Sequence, residues 1–143
     1  MSTNDKVPEN ALFVCFGGLS NVGALTGIAG LEVVKQLGND KAAIFCLAGL
    51  PTEAKTVLNK TRAARRIIVV DGCPLNCASK VVIQAGFTPD KMINLVNDCG
   101  LKKGPTFNYD AKDLQAAVEA ILSALQEDET SLLDVEGEAL SQH

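Results

Sequence analysis

The segment Arg66-Ile67-Ile68-Val69-Val70-Asp71 constrains the fold more than any other part of the chain. Branching at Cβ stiffens these side chains and favours extended backbone. A run that is apolar at consecutive positions presents apolar groups on both faces of a strand, so both faces must be covered. That is the signature of a strand in a parallel sheet covered on both faces. Three more short apolar runs, Ala11–Phe16, Ala42–Leu47 and Lys91–Asn97, also have strand length. Helix-length segments lie between them. Ser20 or Asn21 caps a first helix running to about Gln36, with Gly38-Asn39 as its stop. Pro51 and Pro74 stand where first helical positions are expected, and the segment opened by Pro74 runs to about Ala85 before Gly86. Asp110 caps a last helix from Ala111 to about Gln126, with Leu114, Val118, Ile121, Leu122 and Leu125 on one stripe.

Strand and helix thus alternate four times. This predicts a three-layer α/β/α fold around a four-stranded, mainly parallel sheet, Rossmann-like or flavodoxin-like, in order 2-1-3-4 or 3-2-1-4. The expected organisation is a polar N-terminal segment over residues 1–10, a single α/β cysteine-bearing domain over 11–126, and an acidic C-terminal segment over 127–143. A chain of 143 residues is long enough for one real core.

Charge and composition exclude several functions. A net charge of −4 and 4% aromatic residues with no Trp argue against a nucleic-acid partner. Met1 to Asn10 has no apolar stretch of the secretory kind. No run approaches the ~20 apolar residues of a membrane span. The expectation is a cytoplasmic protein without a membrane partner. In that compartment five cysteines, an odd number, read as metal ligands or reactive thiols rather than disulfides.

The cysteines fall at one kind of place. Cys15, Cys46, Cys73, Cys77 and Cys99 each lie at or just past the carboxyl end of an expected strand. In an open α/β sheet these ends share one edge, where ligands bind. Adjacent strands are ~4.8 Å apart, which lets thiolates from neighbouring ends converge on one metal with bonds of ~2.3 Å. A single Cys15 or Cys46 reads better as core filler; five of five at strand ends do not. With Cys73 near an N-cap and Pro74 opening the helix, Cys77 falls on the same side, where the helix N-terminus favours thiolate.

Three segments carry a family resemblance. They are Asp71-Gly72-Cys73-Pro74-Leu75-Asn76-Cys77-Ala78 after its Ile/Val strand, the Cys-x-Gly-Gly-x-Ser pattern from Cys15, and Cys46-Leu47-Ala48-Gly49. Together they resemble the DGC-domain family of zinc-binding proteins, over roughly residues 11 to 125. The resemblance implies zinc held by four cysteines, which fall on Cys15, Cys46, Cys73 and Cys77, and it implies no reaction. Cys99 stands outside the pattern.

Other motifs narrow the chemistry. The Gly17–Gly23 loop lacks the Lys and Ser/Thr of a Walker loop, since Ala24-Leu25 follow, and it lacks G-x-G-x-x-G. It reads as a turn freeing space beside Cys15, with an anion held by backbone N–H groups as the lesser reading. Gly23, Gly27 and Gly30 recur at helical spacing, as close helix–sheet packing requires. The thiol-phosphatase pattern Cys-x5-Arg fails because Asn21 stands six after Cys15. Lys102 and Lys103 either offset a thiolate cluster or sit in a solvated loop. Asp71 is placed to orient the Cys73 loop. His143, the only histidine, lies at the terminus, against a mixed cysteine and histidine site.

Two readings follow. One is a zinc-binding protein whose four thiolates close the metal to water, in a structural, regulatory or carrier-like role. The alternative is a thiol-disulfide redox enzyme or sensor using Cys73 and Cys77, with an iron–sulfur cluster on the same thiolates as a third option. Absence of hydrolytic and nucleotide-binding motifs favours a binding protein over an enzyme. A protein partner or a homodimer stays open.

Overall fold

The computed structural model describes residues 6–141, with side chains through residue 126; Met1 to Asp5, Gln142 and His143 lie outside the described residues. Four parallel strands, β1 (Asn10–Val14), β2 (Ala42–Ile44), β3 (Arg66–Asp71) and β4 (Lys91–Asn94), form one sheet in the order β2-β1-β3-β4. Of the two orders expected, the structure adopts 2-1-3-4, and every pairing is parallel. The helices are α1 (Asn21–Leu37), α2 (Lys55–Ala63), α3 (Cys77–Gln84), α4 (Leu95–Cys99) and α5 (Ala111–Ser141), with one 3-10 turn at Leu47–Gly49.

β3 occupies the centre for the reason its composition gives. All six of its residues are buried. Side chains alternate across a strand, so Ile68 and Val70 face one layer and Ile67 and Val69 the other. The first pair packs with Leu12 and Val14 of β1 against Val22, Leu25 and Val33 of α1 and Val118 and Ile121 of α5. The second pair packs with Phe13 against Val82 of α3, with Val57 and Leu58 of α2 at the margin. Phe13 meets Phe45 edge-on with ring centroids 5.7 Å apart, a geometry favoured by the ring quadrupoles. The two sides of the sheet are thus covered by α1 with α5 and by α2 with α3. No helix among the described residues is long and apolar enough to cross a membrane.

Caps hold where a local side chain makes them. Ser20 accepts from the Gly23 N–H at 3.1 Å and begins α1, and Gly38, at φ +89°, ends it. Asp110 and Asp113 form a reciprocal box at the start of α5, each carboxylate accepting the other's backbone N–H at 2.9 and 3.2 Å. Three expectations fail. Pro74 and Pro51 do not open helices. Pro74 is the second residue of a turn closed by the Asn76 N–H on the Cys73 carbonyl at 3.1 Å. Pro51 has the same place in a turn closed by the Glu53 N–H on the Leu50 carbonyl at 3.2 Å. The fixed φ of proline suits either position, so α3 starts at Cys77 and α2 at Lys55. The third is the strand expected over Lys91–Asn97, which stops at Asn94. The Asn94 side chain accepts from the N–H groups of Val96 and Asn97, each at 3.1 Å, and turns the chain into α4.

Ile68 has no exposed surface and lies at the centre of the larger core. Replacing it with Ala should lower stability by about 2–5 kcal/mol through lost burial and a residual cavity. Ile83→Ala, at a side chain 53% exposed, should cost far less. Urea unfolding of both variants, with unchanged denaturant slope, checks the placement of the core.

Candidate functional site

The carboxyl ends of β1 and β3 are neighbours, because Val14 pairs with Val70. Two chain reversals therefore start side by side. Their close approach depends on glycine. A Cβ on Gly72 would lie 2.6 Å from the Gly23 nitrogen, and Gly23 has no room for a Cβ against the Gly17 carbonyl oxygen. The loop after β1, the first turn of α1 and the loop after β3 thus touch backbone to backbone.

On the β1 side, Cys15 remains in the ladder through its N–H on the Val70 carbonyl at 3.1 Å. The chain then turns sharply at Phe16, which has φ 43° and lays its ring against Gly27. Thr26 secures this turn. Its hydroxyl donates to the Gly23 carbonyl at 2.8 Å, accepts the Phe16 N–H at 2.9 Å, and lies 3.6 Å from the Cys15 sulfur. Since its one proton is already placed on Gly23, the Cys15 thiol is left as the donor of that contact.

On the β3 side, Asp71 is almost wholly buried and does what a cap residue normally does. Its carboxylate accepts from the Ala78 N–H at 2.7 Å, the Ser79 N–H at 3.0 Å and the Ser79 hydroxyl at 2.7 Å. Asn76, the residue before α3, makes no cap bond itself and sits in the left-handed region at φ 53°. Asn tolerates that conformation better than most residues. Asn94 reaches across from the end of β4 and donates to the Cys73 carbonyl and to Asn76 Oδ1, both at 2.8 Å. The Cys73–Asn76 turn is therefore held from two sides, and the expected orienting role of Asp71 is met through α3.

Between these loops lies a cavity of about 300 Å³, whose lining includes Cys15, Cys73, Cys77, Leu19, Leu75 and Lys103. Cys15 and Cys73 are half-buried and Cys77 is exposed. The Lys103 ammonium is 3.6 Å from the Cys73 sulfur. Of the cysteines expected to share a metal, the fold gathers these three along one cavity. Cys46 is exposed at the end of β2 and lines a different cavity, with Lys6, Thr56 and Lys60. Cys99 ends α4 rather than a strand. It packs against the larger core with its sulfur 3.9 Å from the Ala116 carbonyl.

All five cysteines are free thiols. Among the described residues no three His, Cys, Asp or Glu side chains stand close enough together to hold an ion as they are placed. The thiols share a cavity without converging, so holding a metal would require them to turn toward one another. In kind the donors fit a thiophilic ion: three sulfurs, and a carboxylate, Asp71, already engaged at α3.

Sequence reasoning placed Lys102 and Lys103 either near a thiolate cluster or in a solvated loop, and missed the residue that ties the Gly100–Asp110 segment to the cavity, Asn21. Asn21 is 4% exposed, although Ser20 already caps α1. Its amide donates to the carbonyls of Lys102 and Asn108, each at 2.9 Å, and its oxygen accepts the Gly104 N–H at 2.8 Å. Its own N–H donates to the Gly104 carbonyl at 3.1 Å. Thr106 adds a hydroxyl bond to the Gly18 carbonyl at 2.6 Å. A second cap-type residue beside a sufficient one was the available signal.

A family model, the DGC domain, matches residues 11–121. A curated relative, the anaerobic and virulence modulator AnvM of Pseudomonas aeruginosa, is 27% identical over 114 residues, which is 80% of this chain and 82% of that protein. No solved structure matches the chain significantly.

Cys99 yields a pH test. Burial first, and the Asp98 charge second, raise its pKa above the ordinary thiol value of 9.0. The folded state therefore holds this proton longer than the unfolded state. The resulting stability is complete below pH 9.0 and is lost as pH rises through the folded value. Stability measured by urea unfolding should fall as pH rises above 9.0 in the wild type, and less in Cys99→Ala. Cys99 should also be the slowest of the five thiols to alkylate.

Proposed function

The chain belongs to the DGC domain family, and on that footing we propose that it binds zinc through thiolates at the carboxyl edge of its sheet. The observation that carries the reading is the sharing of one cavity by Cys15, Cys73 and Cys77, which come from two strand ends and the start of a helix. Cys46, exposed at the end of the strand beside β1, is the proposed fourth thiolate. Zinc saturated by thiolates serves structure, regulation or transfer and leaves no position for a hydrolytic water.

The residues around the cavity suit this task. Thr26 and the Phe16 turn set the direction of Cys15. Asn94 and the Asp71-capped α3 fix the two ends of the segment that bears Cys73 and Cys77, leaving the thiols themselves to turn. Outer hydrogen bonds of this kind orient metal ligands. The name of the relative describes a modulator, which supports a regulatory role over catalysis.

Metal analysis of reduced, untagged protein tests the reading. Wild type should carry about one zinc per chain, as a single tetrahedral thiolate site requires. Cys15→Ser, Cys73→Ser and Cys77→Ser should each lose it. Cys46→Ser should keep metal at reduced affinity, because three thiols remain along the cavity, and Cys99→Ser should match wild type. Protein without metal and with all thiols titratable overturns the proposal. A reversible disulfide between Cys73 and Cys77 in that protein would move the assignment to redox chemistry.

A further inference from the structure

The thiol cavity poses a charge problem. Divalent zinc held by four thiolates leaves two negative charges in excess, and by three leaves one. A helix N-terminus is the usual remedy, and α3 begins at Cys77. Here that remedy is already taken. The second and third N–H groups of α3 donate to Asp71, whose buried carboxylate adds a further negative charge behind the thiols. Among the residues lining the cavity, Lys103 is the one cation.

We infer that the Gly100–Asp110 segment is a working wall of this cavity, in which Asn21 is a positioning residue that pins the loop and Lys103 is the cation it brings to Cys73. The inference deepens the thiolate-site reading and rests on it. The geometry is specific. Lys103 lies between the two loop carbonyls that Asn21 binds, those of Lys102 and Asn108, and directly before Gly104, whose N–H and carbonyl both bond to Asn21. The Thr106 hydroxyl ties the same loop to the carbonyl of Gly18, in the loop after β1. An exposed lysine on an untied loop would spread its charge through solvent. Four hydrogen bonds from one buried residue set the backbone of this one beside the sulfur.

The test uses the full chain, stripped of metal by a chelator, and compares alkylation of Cys73 by iodoacetate and by iodoacetamide, read site by site by mass spectrometry. The reagents attack the same thiolate, so their rate ratio reports local charge and not thiolate fraction. An ammonium 3.6 Å from the sulfur favours the anionic reagent. Lys103→Met should lower the iodoacetate-to-iodoacetamide ratio at Cys73 about three- to tenfold, Lys103→Arg should hold it near wild type, and the ratio at Cys46 should not move. High salt should shrink the wild-type preference. Asn21→Ala should lower the ratio as Lys103→Met does, and should lower it no further when combined with Lys103→Met. An unchanged ratio in Lys103→Met overturns the role of Lys103. A normal ratio in Asn21→Ala, or an added loss in the double variant, overturns the positioning role of Asn21. Lys103 is exposed, so its variant folds and decides the question even if Asn21→Ala does not. Zinc affinity by chelator competition gives a separate readout. It should weaken about tenfold in Lys103→Met, and lack of zinc binding by wild type refutes the metal reading while the alkylation ratio still decides the charge.

Discussion

The arrangement of the site depends on one buried carboxylate. Asp71 ends β3 with three hydrogen bonds to α3, and this decides where α3 begins. A carboxylate out of water is tolerated only when its lone pairs are satisfied. Asp71 meets that demand with the N–H groups that a helix start leaves unpaired. The strand and the helix are thereby locked together across five residues that need no regular structure of their own. Those five residues, Gly72 to Asn76, are free to form the turn that carries Cys73 and delivers Cys77.

The same carboxylate changes the electrostatics of the thiols. A cysteine at a helix start is ordinarily helped by the helix dipole. At α3 the dipole is met by Asp71. Among the residues lining the cavity the one cation is Lys103, on the loop after α4, and Asn21 binds that loop to the start of α1. Close glycine contacts complete the geometry: without a bare Gly72 against Gly23, the two cysteine-bearing loops could not approach as closely as they do.

Much of this was legible in the residues. β3 was readable end to end, because a β-branched run has one good environment. Ser20 and Asp110 were readable as caps, because a cap is a bond between near neighbours. The starts of α2 and α3 were not. Proline fits both the first position of a helix and the second of a turn, and at α3 the choice is made by Asp71, six residues before Cys77. Asn94 was hidden for a similar reason. It extends an apolar run by pattern, and ends it by bonding to Val96, Asn97 and the distant Cys73 carbonyl. Strand order was beyond reach too, since both candidate orders set the same three strand ends side by side.

The cysteines show most clearly what position along a chain leaves out. All five follow an apolar run, and on that ground alone they are equivalent. The fold separates them by neighbours. Cys15, Cys73 and Cys77 face a common space with a lysine at one side. Cys46 stands one strand further out and lines a cavity with two lysines, Lys6 and Lys60. Cys99, at the end of α4, lies half-buried against the core, where burial and Asp98 raise its pKa. A thiol that resists ionisation is a poor ligand and a poor nucleophile, because the thiolate does both jobs. The short helix started by Asn94 therefore does more than close the sheet: it sets Cys99 against the core, apart from the cavity that Cys15, Cys73 and Cys77 line, and the loop that follows brings Lys103 to that cavity.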